Sequence, residues 1–199
     1  MRTIQLFSVT AGFAVLTLLS ACSSTSHSNT TDDVIELTNY SLKYSVETSA
    51  KKSTIWRLWS DVENWKKFDT ILEYSYLVDD AEFKTGSIGY LNAKGAPKTK
   101  FILTEVNDGI SFTESLKIPL YQTIDLQRYF EVNNKGNTTF THEVNFKGSL
   151  KNIMYFLLSG TFKNELIHVM GNLKKVAENE EKSEKGAQQN NARSNSLTQ

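Results

Sequence analysis

Tyr40-Ser-Leu-Lys-Tyr-Ser-Val-Glu-Thr48 alternates strictly, with Tyr40, Leu42, Tyr44 and Val46 on one face, which predicts a half-buried strand. Ser53 then reads as a cap for a short helix over Thr54 to Trp59 that buries Ile55, Trp56 and Trp59. Asp61 to Phe68 reads as a second short helix, capped by Asp61. Alternation resumes in Leu72 to Val78, Ser87 to Ala93, Lys100 to Val106, Ile110 to Leu116, Ile124 to Val132 and Thr138 to Lys147. After Gly148 the period becomes helical, and Phe162, Leu166, Val169, Met170, Leu173, Val176 and Ala177 form one apolar stripe.

The order is strand, two short helices, six strands, long helix. Consecutive antiparallel strands form a meander, and its apolar face needs a cover. The terminal helix is the only element large enough. The expected fold is therefore α+β, a curved antiparallel sheet of about seven strands gripping one long helix, with a space enclosed between them. That space should be lined by Tyr74, Tyr76, Phe112, Phe130 and Phe146 from the sheet and by Phe162, Leu166 and Met170 from the helix. Trp65, Phe68 and Phe156 are further candidates for a cavity mouth.

The ends of the chain read differently. Arg2 is followed by a mostly apolar run from Leu6 to Leu19, too short to span the roughly 30 Å of a bilayer core. Leu19-Ser20-Ala21-Cys22 closes it with small residues ahead of a cysteine. Residues 1–21 are read as an export signal, and the tetrad resembles the lipobox of bacterial lipoproteins. That resemblance implies diacylation of Cys22 and cleavage before it. Residues 22–37 are expected to be a flexible tether, 38–178 the folded domain, and 179–199 a disordered tail of Glu, Lys, Gln, Asn and Ser.

Cys22 is the only cysteine, so no disulfide supports the fold. Removing the signal takes Arg2 from 22 basic residues and leaves all 22 acidic ones, a net charge of −1. That balance gives no electrostatic case for nucleic acid. The expected membrane attachment is the lipid on Cys22, in the cell envelope. Ser23 lacks the Asp that resembles an inner-membrane retention signal, so an outer membrane, facing the periplasm, is favoured where the cell has two.

Within the domain, Val46-Glu-Thr-Ser-Ala-Lys-Lys-Ser-Thr-Ile-Trp56, then Trp59-Ser-Asp61 and Trp65, resemble the opening of the START-like (SRPBCC, polyketide-cyclase/dehydrase) superfamily. Gly86, Thr104-Glu-Val106, Thr138-Thr-Phe-Thr-His-Glu-Val144 with Gly148, and Asn172-Leu-Lys-Lys-Val-Ala-Glu178 agree in order and spacing. The resemblance implies a helix-grip fold with an internal cavity for an apolar small molecule or lipid. It does not imply one activity, because that fold hosts binders, cyclases and regulators alike.

Candidate chemistry is sparse. There is no Gly-x-Ser-x-Gly, no His-x-x-x-His and no phosphate-binding Gly-rich loop, and neither a metal nor a cofactor is expected. His27 lies in the tether, and His168 lies on the polar face of the last helix. The alternation instead puts Glu114, Arg128 and His142 on the apolar faces of three consecutive strands. Arg128 and His142 are equidistant from Lys135, and Glu114 and Arg128 from Tyr121, so symmetric turns would set the three side by side. Three readings fit this row: an ion pair fixing strand register, a polar clamp for a ligand's carboxylate, phosphate or carbonyl, or a general base (Glu114 or His142) in a cyclase-like reaction. A protein-binding accessory module with a vestigial cavity is a further alternative.

Overall fold

The computed structural model describes residues 34–38, 40–118, 122–132 and 138–196. The signal segment, Cys22, the tether up to residue 33, the turn 133–137 and the connection 119–121 lie outside the described residues. The elements are β1 (Val34–Thr38), β2 (Ser41–Glu47), α1 (Lys52–Ser60), a 3-10 helix (Val62–Lys67), β3 (Leu72–Leu77), β4 (Ile88–Ala93), β5 (Thr99–Asn107), β6 (Ser111–Ile118), β7 (Gln122–Val132), β8 (Thr138–Lys147) and α2 (Lys151–Ser196).

The eight strands form one antiparallel sheet in the order β1-β2-β8-β7-β6-β5-β4-β3. β3 to β8 are the expected meander, and β2 closes onto β8 with Leu42 opposite Val144 and Tyr44 opposite His142. α2 lies along the inner face and buries Leu166, Val169, Met170, Leu173 and Ala177, the stripe read from its periodicity. It runs through Gly160 without a break. α1 adds Ile55, Leu58 and Trp59 to the same core. The Trp59 ring meets those of Phe112, Phe130 and Phe140 at centroid distances of 5.0–6.1 Å. Fully burying side chains of this size stabilises by about 1.5–3 kcal/mol each. The architecture is the helix-grip, START-like fold.

Four local expectations differ from the structure. The tether was expected to reach residue 37, yet Val34–Thr38 is an edge strand paired with β2 from Val34↔Ser45 to Thr38↔Ser41. Among its described side chains only Ile35 packs against the core, and Leu37 is exposed, so the short run carries little periodic signal. Trp56 is half-buried, with its indole Nε1 donating to Asp108 Oδ1 at 2.9 Å.

Third, Ser53 does not cap α1. The helix begins at Lys52 with Lys51 as the cap residue and no local side-chain cap. Glu181, far along α2, fills that role. Its Oε1 accepts from the Lys51 backbone N–H at 2.6 Å and from Thr54 Oγ1 at 2.7 Å. Glu178 likewise accepts from Thr48 Oγ1 and the Ser49 N–H, and Arg57 pairs with Glu180.

The last difference follows. The chain does not lose order at 179, because α2 continues to Ser196 and its residues 178–181 hold the start of α1. Glu, Lys, Gln and Ala propagate a helix well once packing has nucleated it, even without an apolar stripe.

Candidate functional site

β7 and β8 set the geometry. Their register places Arg128 opposite His142, as the symmetric turn predicted. Leu126 and Phe130 flank Arg128 on its face, and Phe140 and Val144 flank His142. β6 is offset by two residues from the expected register: Phe112 is opposite Arg128, and Glu114 is opposite Leu126. The long arginine side chain spans that diagonal, and its Nη1 donates to Glu114 Oε1 at 2.8 Å. Its guanidinium carbon lies 5.2 Å from the Trp65 ring centroid and 5.0 Å from that of Phe112. All three members of the row are buried, Glu114 to 1 % exposure.

The row faces a cavity of about 70 Å³. Leu126 and Val144 complete its sheet side, Trp65, Asp69, Leu72 and Leu91 close one flank, and Phe162, Glu165, Leu166 and Val169 of α2 form its roof. The cavity therefore holds three carboxyl groups, one guanidinium and one imidazole in an otherwise apolar wall.

Their electrostatics follow from burial. Burial pushes the Glu114 carboxyl up from its ordinary value, against the downward pull of Arg128. Asp69 is also raised, by burial first, although Arg128 and the backbone N–H groups of Ile71 and Leu72 act the other way. Glu165 is lifted to about 7 by burial and then by repulsion from Asp69. His142 is driven well below 6.5 by burial and by the neighbouring Arg128 charge, so its imidazole is neutral.

Four buried polar atoms of these residues have no hydrogen-bond partner: Asp69 Oδ1, Glu114 Oε2, and both ring nitrogens of His142. Buried polar atoms in native proteins are nearly all paired, and an unpaired one costs about 1–3 kcal/mol. All four belong to residues that line this one cavity. No cluster of His, Cys, Asp or Glu among the described residues has the geometry to hold a metal ion.

Of the residues expected to form a site, Glu114, Arg128, His142, Phe162 and Leu166 line the cavity. Phe112, Phe146 and Met170 point inward but are packed solid in the core. Phe130 packs against Trp59, with the Lys52 ammonium 4.8 Å from its ring centroid, away from the cavity. Phe68 is buried in the core, and Phe156, offered as a mouth residue, is 83 % exposed.

Tyr74 and Tyr76 are on the wrong face for a ligand. A register shift between Leu72 and Tyr74 inverts the alternation of β3, so Leu72 and Ser75 point inward. Tyr74 is 39 % exposed, and the rings of Tyr76 and Tyr90 meet at a tilt outside, with the Lys98 ammonium over both.

Asp69 and Glu165 were not anticipated as site residues. Asp69 lies in irregular chain, where periodicity says nothing about direction. Glu165 left a signal: it stands at i+3 within Phe162, Leu166 and Val169, an acid inside the apolar stripe. His168 is on the exposed side of α2 as expected, but its Nε2 is 2.9 Å from Thr70 Oγ1 and 3.1 Å from Asn172 Nδ2.

No protein family model matches the sequence, and no curated protein matches it significantly. Solved structures match the fold. A START superfamily protein of Mycobacterium smegmatis superposes with a TM-score of 0.53 at 13% identity, covering 71% of this chain and 99% of that one. A protein of Nitrosomonas europaea gives a TM-score of 0.55 at 12% identity over 71% of this chain and 96% of that one. Another Mycobacterium smegmatis protein gives 0.52 at 14% identity, covering 73% of this chain and 95% of that one. At such identities the likeness is one of fold.

Proposed function

We propose that this chain is a lipid-anchored protein of the cell envelope whose helix-grip domain binds a small amphiphilic molecule, with the ligand's polar head among Asp69, Glu114 and His142. The observation that carries the binding reading is the set of four unpartnered buried polar atoms around one cavity. The anchoring half rests on the Leu19-Ser20-Ala21-Cys22 tetrad behind a short apolar run, and on Cys22 being the single cysteine.

The cavity limits what enters. Sites that enclose a drug-sized ligand have about 300–1,000 Å³, whereas this one has about 70 Å³. It accepts a head group or a few water-sized groups. A longer apolar body requires Phe162, Leu166 or Leu91 to move aside.

Mass spectrometry under native conditions, on the full chain extracted from membranes of its own host, tests both halves. The reading expects acyl mass on Cys22 and a non-covalent adduct on the folded protein. An unacylated chain starting elsewhere than Cys22 contradicts the anchor, and a folded protein without adduct contradicts the binding site.

One observation favours an enzymatic reading as runner-up. Glu165, held at about 7 beside Asp69, is poised to take or give a proton at neutral pH. Turnover of the co-purified ligand that is lost in Glu165→Gln would support it, and an unchanged ligand after long incubation would count against it.

A further inference from the structure

We infer that the head group recognised in this cavity is a primary amine, held as its ammonium by Asp69 Oδ1, Glu114 Oε2 and the unprotonated ring nitrogen of His142. This inference rests on the ligand-binding reading above and narrows it to one chemical class.

The argument is a count of donors and acceptors. A neutral imidazole offers one acceptor and one N–H donor, and carboxylate oxygens offer acceptors only. The four unpartnered atoms therefore amount to three acceptors and one donor. An ammonium carries three N–H donors and no acceptor, so it answers the three acceptors together. A hydroxyl donates once and leaves two of them bare. A carboxylate or phosphate head brings more acceptors to a site already short of donors.

Charge points the same way. Three carboxyl groups, Asp69, Glu114 and Glu165, face the cavity against one guanidinium, and the imidazole is neutral. Arg128 is the only group there that would draw an anion, and it is already engaged: its Nη1 is bonded to Glu114, and its guanidinium lies against the rings of Trp65 and Phe112. Burial raises Asp69 and Glu165 by disfavouring their charged forms, and a cation bound beside them offsets that cost. The remaining His142 N–H then calls for one acceptor next to the amine, as a neighbouring hydroxyl on the ligand would supply.

The test is a titration of the full chain with four probes that share a six-carbon tail: hexylamine, hexanol, hexanoate and hexyl phosphate. Binding is read from the ring ¹⁵N signals of His142 and the indole signal of Trp65, both of which line the cavity. Hexylamine should bind about tenfold or more tighter than each of the others, a difference of about 1.4 kcal/mol. Asp69→Asn and Glu114→Gln, which keep the shapes of their side chains, should each weaken hexylamine more than hexanol. Tighter or equal binding of hexanoate, hexyl phosphate or hexanol overturns the amine while leaving the site as a binding site. If no probe moves the His142 signals in the folded protein, the amine and the binding reading fail together.

Discussion

Arg128 and Glu114 meet across a diagonal of the sheet: the Cα partner of Arg128 on β6 is Phe112, yet its Nη1 reaches Glu114 Oε1 at 2.8 Å. The diagonal uses only one oxygen of the carboxylate. Oε2 is left facing the cavity without a partner, so one ion pair both neutralises a buried charge and presents an acceptor to whatever enters.

Breaking that pair should be costly. Arg128→Met leaves Glu114 buried beside no cation, and losing one partner of a buried pair typically destabilises by about 3–5 kcal/mol. Adding Glu114→Gln to Arg128→Met should recover part of the loss. Urea denaturation of the single and double variants measures this, and additive losses would contradict the pairing.

The pH dependence of stability has two arms. Glu165 rises from an ordinary 4.5 to about 7, so the folded state holds its proton more tightly than the unfolded chain does. Its contribution is full below about 4.5 and is lost as pH rises towards about 7, an effect of about 3 kcal/mol at most. His142 is shifted the opposite way. Its contribution is full above 6.5 and is lost as pH falls through its lowered folded value. Glu165→Gln should flatten the decline between pH 4.5 and 7, and His142→Phe should flatten the acid arm. Melting temperatures across pH 3–8 give the answer. A Glu165→Gln curve with the same slope as the wild type from 4.5 to 7 would contradict the raised Glu165 carboxyl.

Glu181→Ala should cost about 1 kcal/mol, the usual loss when a helix cap is removed, because Glu181 caps α1 from the other end of the chain. Its carboxyl lies below the ordinary range, chiefly through the Lys51 N–H, so this contribution should fade as pH drops through its folded value. Glu184→Ala, on the exposed stretch beyond, should be silent. Equal melting points for the two variants would remove the distant cap from the account.

Two glycines separate packing from propensity. A Cβ on Gly89 would stand 2.1 Å from the Phe101 ring, so Gly89→Ala should destabilise by about 1–3 kcal/mol or more. Gly160 in α2 has open space, and Gly160→Ala should stabilise by about 0.5–1 kcal/mol. Calorimetry that gave both the same sign would contradict one of these placements.

Strand faces and the β7–β8 register were legible because alternation and a symmetric turn fix them together. The β6–β7 offset was not, since its connection is centred one residue earlier than Tyr121, which slides the pairing by two. Tyr74 and Tyr76 misled because a bulge changes phase without leaving a mark in the sequence. Ser75, which turned out to be the inward residue, is satisfied by donating to the Val62 carbonyl at 2.6 Å. Glu181 could not be placed from its sequence neighbours, because its partners lie at Lys51 and Thr54.

The most direct test of the central claim is a crystal structure, at a resolution that separates water from ligand, of the full chain purified from its own host. The account expects continuous non-protein density in the cavity beneath Glu165, larger than a water molecule and within hydrogen-bonding distance of Asp69 Oδ1, Glu114 Oε2 and a ring nitrogen of His142. Separate ordered waters bridging those atoms to one another, with nothing else in the cavity, would contradict it and leave the polar row as a structural network.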